Sequence, residues 1–297
     1  MTRLVHGDDY VSFSELRDRS PEAAEHGDAD FYLFQTDLVA RYGLSDRTEV
    51  FVDVPYKVSI SRVDEDDEHH RDETFQGLGD IRLGVKHFLL AEKTHQLAAT
   101  LGLSFPTGRL NRVTAASYLD HDEAALLGVS VDEHSHLQLG TGTFDPFLGL
   151  EGLYRFDDRW MLFGSLDATI PFYANRYDYR TSPSLTVSVG PAVHFRNEAS
   201  SLFLGLFVEL FYAGRDRYDG DDVVGPGGVF PGEFPVPNTG RLELALKPTL
   251  TWRLSEKATL DIQARIPLYT RIEEDAERGD VQLTEPIGGF IGLTFTF

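Results

Sequence analysis

Ionisable residues recur at every second position in several stretches of this chain. Asp80, Arg82 and Lys86 share one parity, as do Arg241, Glu243 and Lys247, and Asp261 and Arg265. Asp37 with Arg41 and Asp53 with Lys57 form two more such rows, and Glu151, Asp167 and Glu209 occupy the polar parity of their own segments. Alternate side chains of an extended chain point to one face. Mixed charges on one inner face have two uses. They create a transverse field that selects polar or zwitterionic solutes, or they neutralise one another between neighbouring strands and close the space they line. These residues are the candidate selectivity set, and both uses stay open.

Other chemistries are weaker. Asp64-Glu65-Asp66-Asp67-Glu68-His69-His70 mixes carboxylates, which suit Ca²⁺, with imidazoles, which suit transition metals. It lacks ligand spacing and an EF-hand glycine, so a solvated acidic loop is expected and no resident metal. Cation bridging to lipopolysaccharide phosphates is the modest version of the metal idea. His134-Ser135-His136 reads as loop. His194 lies near Arg196 and Asn197. No motif sets a serine beside it and the Gly-x-Ser-x-Gly elbow is absent, so a polar-network histidine is expected, and no catalytic residue or cofactor. The Gly/Pro-rich stretch 225–240 holds Phe230 and Phe234. It reads as an outer loop, with an inward constriction as the alternative.

Composition narrows the classes. The chain has 297 residues, with 27 Lys+Arg against 48 Asp+Glu and a net charge of −21, which excludes the basic face of a nucleic-acid binder. Cysteine is absent, so disulfides, thiolate catalysis and Cys-ligated zinc are excluded. Aromatic residues, at 12%, are too many for a disordered acidic chain. No run of about 18 apolar residues exists, but a transmembrane strand needs only about 9–11. The first eight residues lack the basic stretch and apolar core of a signal peptide.

Period-two alternation dominates. Leu202, Leu204, Leu206, Val208, Leu210 and Tyr212 fall on one face, and Thr48, Val50, Val52, Val54, Tyr56, Val58 and Ile60 on another. The pattern predicts strands at about 31–42, 48–60, 78–91, 96–106, 138–156, 159–173, 183–196, 201–213, 240–254, 258–271 and 285–297. A twelfth is placed near 8–16. Most are longer than the roughly 5–6 residues of soluble-protein strands. Short and long connections alternate along the chain, and the six long ones carry −17 of the net charge. The polar parity of the strands is nearly balanced, Arg271 included. Pro55, Pro106, Pro171 and Pro267 lie on the polar parity near the long-loop ends, where bulges or ladder ends are expected.

This is the layout of an all-β, closed, antiparallel transmembrane barrel of about twelve strands, with short periplasmic turns and long acidic extracellular loops. The rival is a soluble barrel or sandwich with apolar residues inside. Strand length, segregation of the loop classes and end-of-strand aromatics favour lipid outside: Tyr32, Tyr42, Tyr154, Trp160, Phe172, Phe195, Tyr212 and Trp252. The ending Ile291-Gly292-Leu293-Thr294-Phe295-Thr296-Phe297 looks like the assembly signal of such barrels. One domain, 1–297, is expected, with 1–30 its weakest part.

Three segments carry a resemblance: Gly77-Leu78-Gly79-Asp80-Ile81-Arg82-Leu83-Gly84-Val85-Lys86, Leu103-Ser104-Phe105-Pro106-Thr107-Gly108 and Leu139-Gly140-Thr141-Gly142-Thr143-Phe144-Asp145. Their order and spacing resemble the outer-membrane proteins of the meta-pathway of phenol degradation family. The resemblance spans about residues 31–173. It implies a channel-like transporter linked to uptake of aromatic or hydrophobic compounds, and it brings no catalytic residues.

The expectation is a bacterial outer-membrane barrel that passes small molecules passively, without enzymatic activity or cofactor. Its partners would be outer-membrane lipid, lipopolysaccharide, a small solute, and the barrel assembly machinery through the strand ending at Phe297. The alternatives are an outer-membrane hydrolase of lipid or lipopolysaccharide and a structural barrel plugged by charge pairing.

Overall fold

The computed structural model describes residues 2–7, 30–62, 73–110, 138–196, 201–225, 228–230, 232–236, 239–272 and 287–295. Twelve strands form the wall: β1 (Thr2–Gly7), β2 (Asp30–Ser45), β3 (Thr48–Arg62), β4 (Ile81–Ala91), β5 (His95–Phe105) and β6 (Asp145–Arg155), then β7 (Trp160–Thr169), β8 (Ser184–Arg196), β9 (Ser201–Ala213), β10 (Arg241–Arg253), β11 (Ala258–Ile272) and β12 (Ile287–Phe295). Each pairs antiparallel with its sequence neighbours, and β1 pairs with both β12 and β2. The pairing therefore returns on itself. A ring of this kind satisfies the backbone N–H and C=O groups of its strands internally, which hydrocarbon demands. The described residues contain no helix.

Side-chain burial is inverted relative to a soluble fold. Leu38, Tyr42, Leu83, Val85, Leu101, Leu204, Leu206 and Leu210 are exposed, while Asp37, Ser188, Glu209 and Glu243 are buried. The apolar parity faces out and the polar parity faces in. Seven of the eight end-of-strand aromatics, Tyr32 apart, are exposed on the outer surface.

The four prolines mark irregularities as expected. Val54 and Pro55 face three residues, 79–81, because Asp53 pairs with Arg82 whereas Tyr56 pairs with Leu78. Pro55 has no N–H to give, and its carbonyl accepts from Gly79 N at 2.8 Å. The segment Glu73–Leu78 continues the line of β4 beyond this bulge. β5 stops one residue before Pro106, and β7 stops two before Pro171. At Pro267 the register with β10 shifts, leaving Leu268 as the extra residue.

That last bulge corrects one parity assignment. Beyond it Arg271 pairs with the outward-facing Leu242, so Arg271 lies on the outer face and not in the lumen. Boundaries also change: the segment read as a strand from 78 is preceded by a separate strand, Glu73–Leu78. The segment read as a strand over 138–156 begins its ladder only at Asp145, and that read over 159–173 ends at Thr169. Residues 8–16 lie outside the described residues; the strand that joins β12 to β2 is Thr2–Gly7. Phe297 also lies outside them.

Candidate functional site

The inner face carries two ionic walls on opposite sides of the ring. On β9–β11 the charges are in contact. Glu209 receives Lys247 Nζ at 2.6 Å and Arg265 Nε at 2.9 Å. Arg265 also donates to Glu243 at 2.5 Å, and Arg241 lies 3.5 Å from the same carboxylate. Both glutamates are buried. Each carboxylate thus has a cation on a neighbouring strand, and the wall neutralises itself.

The wall of β3–β7 is built around an aromatic floor. Gly84 and Gly102 are cross-strand partners. A Cβ on Gly102 would stand 2.1 Å from Phe147 Cζ, and one on Gly84 would stand 2.5 Å from Phe51 Cζ. Only glycine lets the two rings lie against the backbone there. Phe51 and Phe147 meet at 6.2 Å between centroids. Arg82 pairs across strands with Asp53, yet its guanidinium lies over the Phe147 ring at 4.0 Å. Asp53 Oδ1 is buried without a hydrogen-bond partner among the described residues. Lys86 is committed, donating to Glu151 at 2.5 Å across β5. Asp167 is exposed on the inner face, and no described cation lies within ion-pair distance of it.

The three motif segments converge above this floor. Asp80, in the bulge, accepts from Gly108 N at 2.8 Å and Thr141 N at 2.6 Å. The Thr141 hydroxyl lies 3.0 Å from Asp80 and 2.6 Å from Asp145, so its single proton favours Asp145. Thr143 donates to the other Asp145 oxygen at 2.5 Å. Leu139 is fully buried against Phe75, with Arg109 over the Phe75 ring at 4.6 Å. Residues 138–144 are thus folded against the inner face at the long-loop end and fastened by carboxylates from two strands.

Outside the wall, Arg217–Asp219 pairs with Glu233–Pro235 and with Tyr179–Arg180 to make a small sheet. Tyr218, Val236, Tyr179 and Phe234 form its core. Asp216 anchors it, accepting from Tyr179 Oη at 2.5 Å and Ser182 N at 2.7 Å. Burial raises the Asp216 pKa above the ordinary carboxylate value despite these donors. The folded state therefore prefers the protonated form. Its contribution is complete below the ordinary carboxylate pKa and is lost as pH climbs through the raised value. Protection of the Val236 N–H, which donates to Asp216 O at 2.9 Å, should fall over that window, once intrinsic exchange is corrected for. Asp216→Asn should hold its protection flat across the same pH range. A wild-type profile as flat as the variant's would remove Asp216 as the cause.

The remaining sequence-predicted residues are scattered along the lumen. Asp37 accepts from Gln35 at 2.7 Å, Arg41 pairs with Glu49 at 2.8 Å near the tight turn, and Asp261 accepts from Thr251 at 2.6 Å. The Lys57 stem lies against Gly79. Phe234 packs in the small outer sheet, and Phe230 lies on the hairpin Val223–Gly225 with Gly228–Phe230. The acidic cluster at 64–68 with its two histidines and the His134-Ser135-His136 stretch lie outside the described residues. Sequence reasoning missed one contact. The Ser201 hydroxyl lies 2.6 Å from His194 Nε2, and the imidazole is stacked on Phe203. Both side chains have inward parity on paired strands, so strand pairing was the signal.

The ring of strands, its apolar outer surface and its polar interior make the chain a transmembrane barrel of the outer-membrane type. It is similar over its whole length to the COG4313 outer membrane channel from Pseudomonas putida F1, with 15% identity, a TM-score of 0.59 and 94% of that chain covered. LpxR from Salmonella typhimurium aligns at 9% identity over the whole of both chains, with a TM-score of 0.39. A Pseudomonas aeruginosa FadL homologue aligns at 11% identity over 90% of this chain and 68% of that one, with a TM-score of 0.40. The last two scores are too low to bear on this chain. No family model matches the sequence, and no curated protein matches it.

Proposed function

We propose that the chain is a bacterial outer-membrane channel that passes small molecules passively through its charged interior. The observation that carries this reading is Asp167, a carboxylate on the inner face that remains exposed and unpaired among the described residues. A lumen closed by mutual neutralisation would have enlisted it. The likeness to a structure described as an outer membrane channel supports the same reading. The three motifs extend it to a phenol-degradation-type transporter of aromatic or hydrophobic compounds. Outer-membrane lipid, lipopolysaccharide and the assembly machinery are the partners that go with it, and no catalysis is assigned. Acid in the long connections would raise cation concentration at the mouth. Purified protein in planar bilayers should conduct with cation preference. A barrel silent across voltages and salts would count against passage.

The rival hydrolase reading has one supporting observation, the Ser201–His194 contact. The inward parity of both side chains points the pair at the lumen rather than at lipid. A lipid hydrolase needs its nucleophile where acyl chains or their headgroups can reach it, so passage is the better reading.

A further inference from the structure

The two ionic walls differ in commitment. Glu209, Glu243, Lys247 and Arg265 are held in contact pairs. Arg82 and Asp167 are not within ion-pair distance of any opposite charge among the described residues, although each acts electrostatically on the other. Both lean over the same strand. Arg82 covers Phe147, and Asp167 Oδ1 comes within 3.0 Å of where Gly149 would carry a Cβ. Residues 147 and 149 are consecutive inward positions of β6, about 7 Å apart along a strand. A cation and an anion are thus presented side by side on one inner face and kept from closing on each other. Arg82 is held by the ring beneath it. Asp167 is settled above a glycine that offers no side chain in its way.

We propose that Arg82 and Asp167 form a two-pole subsite for a small zwitterion with the chemistry of an α-amino acid. The solute carboxylate takes the guanidinium edge, where paired N–H donors suit it, and its ammonium takes Asp167. Lys86 is excluded from the role because Glu151 already holds it. Asp53, the cross-strand neighbour of Arg82, sits on β3, on the other side of β4 from Asp167, and is outside ion-pair distance of the guanidinium, so it does not occupy the edge that the solute carboxylate takes. The opposite wall offers no comparable pair, since its cations are spent on its own glutamates. This subsite names a solute class for the passage proposed above and depends on that reading only for its place in transport.

The test is saturation-transfer NMR on the purified barrel in detergent, with L-alanine compared against lactamide, its uncharged isomer. Alanine should receive several-fold more saturation than lactamide. Arg82→Met and Asp167→Asn should each bring alanine down to the lactamide level, while both variants keep the heat-modifiable electrophoretic mobility of a folded barrel. Arg82→Lys should retain part of the excess, because it keeps the charge and loses the planar fork. Equal signals for the two isomers in the wild-type protein, or an alanine excess that survives both variants, would overturn the subsite. Bilayer conductance read in parallel separates the two proposals. Conductance without an alanine excess removes the subsite alone. An alanine excess in a silent barrel supports the subsite and removes passage.

Discussion

Arg265→Met is expected to lower the unfolding free energy of the barrel by roughly 3–5 kcal/mol, the scale for removing one partner of a buried ion pair. Arg265 reaches two buried carboxylates at once, Glu209 at 2.9 Å and Glu243 at 2.5 Å. Without it Glu209 keeps Lys247, but Glu243 keeps only the longer 3.5 Å contact with Arg241. Glu243 is 2% exposed, so water cannot take the missing role. Methionine fills much of the volume, which leaves the stranded charge as the main penalty. The double variant Arg265→Met with Glu243→Gln should recover more than half of the loss, because the charge goes with its partner. Urea unfolding of the refolded barrel in lipid reads both. An unchanged midpoint for the single variant would mean that the carboxylates are hydrated in place.

The second large effect is expected at Asp80. Asp80→Ala removes the acceptor of two backbone N–H groups, Gly108 and Thr141. Each donor left unsatisfied costs about 1–3 kcal/mol. The loss falls on the segment 138–144 rather than on the wall, because the ladders of β4 and β6 do not involve that carboxylate. Protease cleavage within 138–144 should rise at least tenfold, and bilayer conductance should rise with it. Asp80→Asn, which keeps one carbonyl oxygen, should fall between the two. Cleavage at the wild-type rate in Asp80→Ala would mean that the Leu139–Phe75 packing holds the segment by itself.

The wall was legible because hydrocarbon enforces a strict rule on it. One-sided alternation in segments such as 201–213 leaves little freedom once lipid is outside, and even the ladder breaks were readable from four prolines. The errors arose where local pattern and tertiary context part. Leu139, Thr141 and Thr143 alternate as a strand would, so 138–144 looked like the start of β6. In the fold the same alternation places Leu139 on Phe75 and two hydroxyls on Asp145. Arg271 was misplaced because parity counting passes through a bulge without noticing it, and Leu268 turns everything beyond it over.

The site was legible as a list and not as an arrangement. The inward parity of Arg82 followed from alternation. Its position over Phe147 instead of beside Asp53 depends on Gly102, the cross-strand partner of Phe147 on β5, which parity alone does not bring to the ring. The division into one wall with its glutamates held in ion pairs and another that leaves Arg82 and Asp167 apart likewise depends on which strands are neighbours. The Ser201–His194 contact has the same origin.

The tethers on residues 138–144 have a mechanical side. Asp80 belongs to the line of β4 and Asp145 to β6, with β5 between them. A strap tied to both spans a three-strand arc of the rim. Sheets yield most easily by shear between adjacent ribbons, and such a strap resists that sliding. This sector should therefore stay stiff while the remaining circumference flexes, so the mouth would deform as an oval hinged elsewhere and not as an evenly breathing circle.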